Sequence, residues 1–308
     1  MLMSKLVIID ADSLVYHSSK ENIYDSIEAI DEKIWSIFEQ TETDQFYMFL
    51  SQGPYFRTKV NVDYKANRKT RKEVLRYIKT LKAYLRERWG AFSFEGLEAD
   101  DLVAYVYMGC LTDRHEFWKQ ERPETNEVIL CSTDKDLLNT YPGKHFNYSW
   151  KMLDKGTPQE RAEKGRWIST VPHEALRFFL YQLLKGDSGD NIKGITDKND
   201  WMKQEFKLDN RTGFGDLSVE KVLDSIILEP NDRSAIVRVM GVYYMWKGLE
   251  GISEFYKTYR QVKLLDTPEA VYRELGYNLV LPIPHKVEDF KDQVPVEERE
   301  QKNAEPLF

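Results

Sequence analysis

The sequence predicts an α/β domain followed by a mainly helical region. Through the first half, short apolar runs alternate with stretches of helical period. Acidic clusters stand where those runs end or where the helices begin. After about residue 150 the strand pattern gives way to helical spacing. A chain of 308 residues with 42% hydrophobic content has enough apolar side chain for one large domain, or for one domain with a helical annex.

Taken in order, Lys5 to Asp10 (KLVIID) reads as a buried strand, Ile27 to Phe38 as an amphipathic helix and Gln45 to Leu50 as a second strand. Arg71 to Trp89 carries apolar residues at Val74, Leu75, Ile78, Leu81 and Leu85, which is helical spacing and leaves its Lys and Arg mostly on the other face. Ala91 to Phe94 reads as a strand, Ala99 to Cys110 as a helix and Val128 to Cys131 as another strand. A polar stretch from Asp154 to Arg166 precedes a helix from His173 to Lys185 and the turn Gly186 to Asn191. Val219 to Ile227, Ala235 to Trp246 and Ile252 to Leu265 are further helices, and the charged, Pro-rich stretch from Pro282 reads as an extended tail.

Two cysteines, Cys110 and Cys131, fit a reducing compartment and no disulfide framework. The start MLMSKLVIID has too short an apolar run for a signal peptide, and no run of about 18 apolar residues is present to span a membrane. A soluble, cytoplasmic protein is therefore expected.

Nine carboxylates recur at element ends: Asp10, Asp12, Glu98, Asp100, Asp101, Asp134, Asp136, Asp187 and Asp190. Ligands of open parallel sheets bind outside the carboxyl ends of the strands, so separate segments are expected to converge on one rim. Acids brought so close repel one another or bind protons unless cations neutralise them. Hard oxygen donors select Mg²⁺ or Mn²⁺, and those ions point to phosphate chemistry. Singly, each cluster is explained as a helix cap or an Asx turn. Such explanations must all hold at once, and three acids within Glu98 to Asp101 repel one another whatever the helix dipole offers.

The formal net charge of −7 is unusual for a nucleic-acid binder. Its distribution resolves this, because residues 57–88 hold twelve Lys and Arg against three acids. A basic stripe beside an acidic pocket suits a polyanion held by its phosphates. Such a run is often only a solvated helix face. Here, however, Tyr64 is placed to stack on a base or sugar, with Lys65 and Arg68 beside it for phosphate oxygens.

The motifs VIIDAD (7–12), DYKANR (63–68), LEADD (97–101), STDKDL (132–137) and GDSGDN (186–191) together resemble the 5′-3′ exonuclease and flap endonuclease superfamily, most of all its phage-encoded 5′ exonucleases, with phage RNase H also similar. The resemblance covers about two-thirds of the chain. It implies a central mixed, mainly parallel sheet flanked by helices: a nuclease core over residues 1–185 with a basic helical arch at 52–88. A helical DNA-binding region over 186–281, with a degenerate helix-hairpin-helix, and a tail at 282–308 would follow. It also implies metal-dependent hydrolysis of DNA at 5′ ends, flaps or nicks, with RNA in RNA/DNA hybrids as a variant substrate. The products would carry 5′-phosphate and 3′-hydroxyl ends, in phage replication or recombination, from a monomer with no membrane partner.

Carried over residue by residue, Asp10, Glu98, Asp100 and Asp101 would hold the first of two Mg²⁺ or Mn²⁺ ions. Asp134 would lie between, and Asp136, Asp187 and Asp190 would serve the second, the two ions lying about 4 Å apart. Lys65 and Arg68 match the arch residues that contact the scissile phosphate, and Tyr64, Lys69, Arg71 and Lys72 extend the DNA-binding stretch.

Two departures stand out. Where the family has another aspartate after the second strand, this chain reads Leu50-Ser51-Gln52-Gly53, and Asp12 is the candidate to take over. A polar insertion from Thr196 to Thr212 separates Gly194-Ile195 from Gly213-Phe214-Gly215, which with Lys221 is the candidate DNA-binding hairpin and monovalent-cation site. A haloacid-dehalogenase-like phosphatase shares the Asp-x-Asp but explains neither the Glu98 cluster nor DYKANR. A structure-specific DNA-binding relative with weakened catalysis is the non-enzymatic alternative, raised by Ser51. The C-terminal Ala304 to Phe308 is a candidate docking peptide for a replication protein.

Overall fold

The computed structural model describes residues 4–68, 72–112, 123–148, 165–226 and 232–291. Strand β1 (Lys5–Asp10) is the centre of a six-stranded sheet. Its apolar run is continuous because both faces are covered: Leu6 and Ile8 enter one core, Val7 and Ile9 the other. β2 (Gln45–Phe49) and β3 (Glu127–Cys131) flank it in parallel, with Asp10 opposite Phe49 and Ile9 opposite Cys131. β4 (Gly143–Asn147) extends the parallel set beside β3. Antiparallel strands close both edges: β5 (Arg166–Thr170) on β4, and β8 (His285–Lys286) on β2. The expected central mixed, mainly parallel sheet is the one observed.

Helices cover the two faces. α1 (Ala11–Ser18) follows β1 directly, and α2 (Ile23–Thr41) starts at Asn22, whose side chain accepts from the Asp25 amide at 2.8 Å. With α4 (Lys72–Trp89) they bury Ile30, Ile34, Leu81, Leu85 and Trp89 against one face. On α4 the exposed Arg76, Lys79 and Arg86 lie opposite that apolar stripe, as its spacing predicts. α3 (Phe56–Val60) is a single short turn before it. α5 (Ala99–Leu111) covers the other face, and α6 (Lys135–Thr140) follows β3. α7 (Pro172–Lys185) then opens a third core, which holds α8 (Asp200–Glu205), α9 (Asp216–Ile226) and much of α10 (Asp232–Val262). α11 (Pro268–Leu275) returns to pack Ala270 and Val271 beside α5.

Between α7 and α8, β6 (Gly186–Asp187) and β7 (Ile192–Lys193) form a minimal hairpin. Gly186 has φ of 75°, and a Cβ there would collide with the Ile192 carbonyl, while one on Gly194 would collide with the Leu184 carbonyl. The two glycines let the backbones touch, which fixes the loop between them.

Two expectations change. Ala91 to Phe94 is not a strand; its segment meets β2 and the residues after it only through the bridges of Phe92 to Phe49 and Glu95 to Gln52. The helices expected at 235–246 and 252–265 are the two halves of α10, separated by non-helical backbone at Lys247 and Gly248, and the second ends at Val262. The stretch from Pro282 is not extended over its first part: after β8, a 3₁₀ turn (Val287–Phe290) buries Val287 and Phe290 in the core. The remainder of that tail, with the docking peptide, lies outside the described residues, as does most of the polar stretch 154–166.

Phe290 stacks on Trp89, ring centroids 5.4 Å apart and planes 9° from parallel, and edges onto Phe46. Phe290→Ala is therefore expected to cost about 3 kcal/mol in chemical denaturation. A loss under about 0.5 kcal/mol, the usual range for a surface change, would show that this turn is not part of the core.

Candidate functional site

The parallel register brings the carboxyl ends of β1, β2 and β3 to one rim. Asp10, the last residue of β1, caps α1: its Oδ1 accepts from the Asp12 amide at 3.2 Å, and its Oδ2 from Ser13 at 2.6 Å and Ser132 at 2.9 Å. Asp134 repeats the device after β3, capping α6 through the Asp136 amide at 2.7 Å. Capping and clustering are not alternatives, because the caps aim the carboxylates along the rim. Glu98 and Asp100, at the start of α5, and Asp187 and Asp190, in the β6–β7 loop, complete the ring. Glu98, Asp100, Asp134, Asp136, Asp187 and Asp190 all line one cleft.

Crowding shows in the electrostatics. Burial, then the Asp12 charge, pushes Asp10 up to about 6. Burial, then Asp134 and Asp187, pushes Asp136 up to about 8. Burial, then Asp10 and Asp134, raises Asp100 well above the ordinary carboxylate range, and burial chiefly raises Asp134. Asp136 Oδ1 is buried and makes no hydrogen bond; the Lys135 ammonium, 3.8 Å away, is its ion-pair partner. Glu98 behaves oppositely: burial disfavours its charge, but Arg57 and Lys65 outweigh that and hold its pKa below the ordinary value.

Arg57 stands in α3 itself, and Lys65 in the segment that follows it. Lys65 pairs with Glu98 Oε1 and lies 3.5 Å from Asp190, and Arg68 pairs with Asp190. Lys65 adopts φ of 57°, a left-handed conformation uncommon for a side-chain-bearing residue. It is held there by its own amide, which donates to the Asp190 carbonyl at 2.9 Å, and by the Arg68 amide on the Lys65 carbonyl at 3.1 Å. Asn61 to the Asn191 carbonyl, Asn67 to the Ser188 carbonyl and Asn191 to the Asp63 carbonyl tie the DYKANR and GDSGDN loops together at 3.2, 2.7 and 2.8 Å.

Several expected site residues stand elsewhere. Asp101 faces away from the cleft: Arg57 binds both its oxygens, and the Leu265 and Glu98 amides complete its shell at 3.0 and 3.3 Å. Tyr64 is buried and not free to stack; its single hydroxyl proton is shared between Glu98 Oε2 at 2.8 Å and Asp190 Oδ2 at 3.1 Å. Asp12 is paired with Lys82 of α4 at 2.6 Å and does not line the cleft, while Ser51 accepts from the Ala99 amide at 2.8 Å, holding the start of α5. Gly213 and Gly215 are exposed at the entrance to α9, where the Gly215 carbonyl accepts from the Ser218 and Val219 amides at 2.8 and 3.1 Å. Lys221 donates to the Lys207 carbonyl at 3.1 Å. Lys69 and Arg71 lie outside the described residues, and Lys72 opens α4.

Arg57, Asn61, Lys82 and Tyr16 were missed. The first three look like ordinary polar members of a basic run; Tyr16, 40% exposed on α1 near Asp12, Arg68 and Lys65, carried no motif. Among the described residues, no three His, Cys, Asp or Glu side chains stand together as a ready-made ligand set, and Glu98, Asp190, Asp12 and Asp101 are engaged by Lys and Arg. Among the same residues, no helix is long and apolar enough to cross a membrane.

No curated protein matches the sequence. Among solved structures, the bacteriophage T5 D15 flap endonuclease in a complex with DNA and metal ions is similar at 16% identity, with a TM-score of 0.47 over 84% of this chain and 97% of that one. T5 5′-exonuclease with bound zinc gives 15%, 0.48, 84% and 98%, and the catalytic core of Rad2 with a DNA substrate 9%, 0.38, 90% and 89%. The family model described as 5′-3′ exonuclease, N-terminal resolvase-like domain, matches residues 5–164, more than half of the sequence. With the acidic rim, the DYKANR loop and the mainly parallel sheet already in place, that match assigns the chain to the 5′-3′ exonuclease family.

Proposed function

We propose that the protein is a divalent-metal-dependent 5′ nuclease that hydrolyses DNA at free 5′ ends, flaps or nicks, leaving 5′-phosphate and 3′-hydroxyl ends. The observation that carries this reading is a cleft of largely buried carboxylates, none of them fully exposed, with cationic side chains reaching in from one edge. Asp10, Asp100, Asp134 and Asp136 are raised chiefly by burial and then by neighbouring carboxylates, and Asp136 Oδ1 is buried without a hydrogen bond, so the donor chemistry fits hard cations. Asp10, Asp100 and Asp134, joined by Glu98 through Oε1, would hold one ion; Asp136 and Asp187 would hold a second, joined by Asp190 once Lys65 and Arg68 turn from these two acids to the phosphate. Bound there, such a pair supplies water activation and stabilisation of the leaving oxygen.

The chain's own residues do the rest. Lys65 and Arg68, on a loop clasped to residues 188–191, present positive charge where a scissile phosphate would sit between them and the acids. The exposed Arg76, Lys79 and Arg86 offer a track for the strand's phosphates, and Tyr16 offers a half-exposed ring for a base at its entrance. Ser132 and Ser13 hold Asp10 in the orientation the rim requires. Asp12 carries Lys82 as its counter-charge, which leaves it a supporting acid at the back of the site.

A Mg²⁺ cleavage assay on 5′- and 3′-labelled flap, nicked, duplex and RNA/DNA substrates is expected to release 5′-end products first; attack from the 3′ end would overturn the reading. Branched-DNA binding in EDTA with no cleavage after Mg²⁺ or Mn²⁺ is added would assign the protein to recognition alone. Lys65→Met is expected to lower kcat by about 10²- to 10³-fold while tightening Ca²⁺ binding in calorimetry, because Glu98 Oε1 loses its resident cation. Unchanged or weaker Ca²⁺ binding would count against that competition. Because Asp10 and Asp136 titrate above the ordinary 3.8, the folded state holds protons that the unfolded chain releases. Their contribution is complete below about pH 4 and is lost as pH rises through about 6 and about 8. In EDTA the melting temperature should therefore fall across that window, and excess Mg²⁺ should restore it; a flat profile would contradict the crowding.

A further inference from the structure

Arg57 is 1% exposed, yet every N–H of its guanidinium has a partner. Nε donates to the Gln261 carbonyl at 2.9 Å; Nη1 donates to Glu98 Oε2 at 2.9 Å and Asp101 Oδ2 at 2.6 Å; Nη2 donates to Asp101 Oδ1 at 2.8 Å and the Lys263 carbonyl at 3.3 Å. The acceptors come from two places that no sequence neighbourhood joins, the start of α5 and the C-terminal end of α10. One turn later Asn61, the residue that ends α3, donates to Gln261 Oε1 at 2.9 Å and to the Asn191 carbonyl, so the end of the same short helix also holds the β6–β7 loop.

The effect on Glu98 is specific. Arg57 and Tyr64 both occupy Oε2, so Oε1 alone is left for the cleft, and Lys65 sits on it. Buried ion pairs are weak evidence for stability, since apolar residues of similar volume often serve as well. A fork that uses all five donors fixes geometry instead.

We propose that Arg57 is a positioning residue: it selects the oxygen that Glu98 presents to the cleft and ties that choice to the end of α10, so that the helical region and the acidic rim move as one unit. It touches neither substrate nor cation and acts through Glu98. This rests on the nuclease reading above. It gives Asp101 its role as the counter-charge that keeps the guanidinium in place.

The test is a double-mutant cycle on kcat between Arg57→Lys and Glu98→Gln, with melting temperature and flap-DNA affinity in EDTA measured on each protein. Lysine keeps the charge but not the fork. Arg57→Lys is expected to bind flap DNA within about 3-fold of wild type and to lose about 10- to 100-fold in kcat, the range for groups that orient a ligand. In the Glu98→Gln background the same change is expected to cost less than about 2-fold, because its target is already lost. Additive losses, or an unchanged kcat per folded molecule, would overturn the proposal. Should Arg57→Lys fail to fold, Asp101→Asn replaces it in the cycle with the same expectations, since it loosens the guanidinium with little change of shape. A wild-type protein that cleaves nothing would remove the nuclease reading itself, whereas an active wild type with an additive cycle removes only the role of Arg57.

Discussion

Carboxylates crowded at the ends of parallel strands are the constraint on which this structure depends. A parallel sheet delivers its strand termini to one side, so acids at the ends of β1 and β3 meet those at the start of α5 and in the β6–β7 loop whether or not their charges allow it. The protein answers in two ways. Some acids, Asp10, Asp100, Asp134 and Asp136, are left short of positive charge and held toward their protonated forms. Others, Glu98, Asp101, Asp190 and Asp12, are matched to Arg57, Lys65, Arg68 and Lys82. The first group invites cations, and the second carries them already.

That division explains why one short segment bears so much of the site. Residues 57 to 68 supply a buried guanidinium, a buried phenol and a lysine in left-handed backbone, directed at acids at the start of α5 or in the β6–β7 loop, and asparagines that clasp that loop's backbone carbonyls. The segment works as the positive half of an ion lattice whose negative half is scattered along the chain. Gly186 and Gly194 make that possible by letting the loop between them close tightly enough to meet it.

Much of this was legible in the residues. KLVIID reads as a two-sided buried strand because its apolar run is unbroken, and α4 reads as amphipathic because Leu81 and Leu85 repeat at helical spacing. The acids at element ends read as a convergent site because sheet topology leaves them nowhere else to go. What stayed hidden was orientation and distant pairing. Asp101 is indistinguishable in sequence from Asp100, and only the fold turns one into the cleft and the other toward Arg57. The aromatic ring of Tyr64 suggested stacking, but its hydroxyl is worth more to two buried carboxylates. α1 was hidden because its eight residues give barely two turns of helical period, and β8 because two polar residues, His285 and Lys286, become a strand only through a partner some 240 positions earlier.

That last pairing bears on how the molecule is made. β2 emerges early in synthesis, but the end of it that Gln45 and Phe46 form has no antiparallel neighbour until His285 and Lys286 appear. Unpaired strand edges are templates for other chains, and pairings of such long sequence separation are slow to close. The core of the first half therefore has to mature around an open margin while the helical third is still being translated. The closing pair is two residues long, and one of them is a lysine exposed to solvent, which is the kind of edge that discourages a second chain from adding itself. The sheet is started before the helical region and sealed after it.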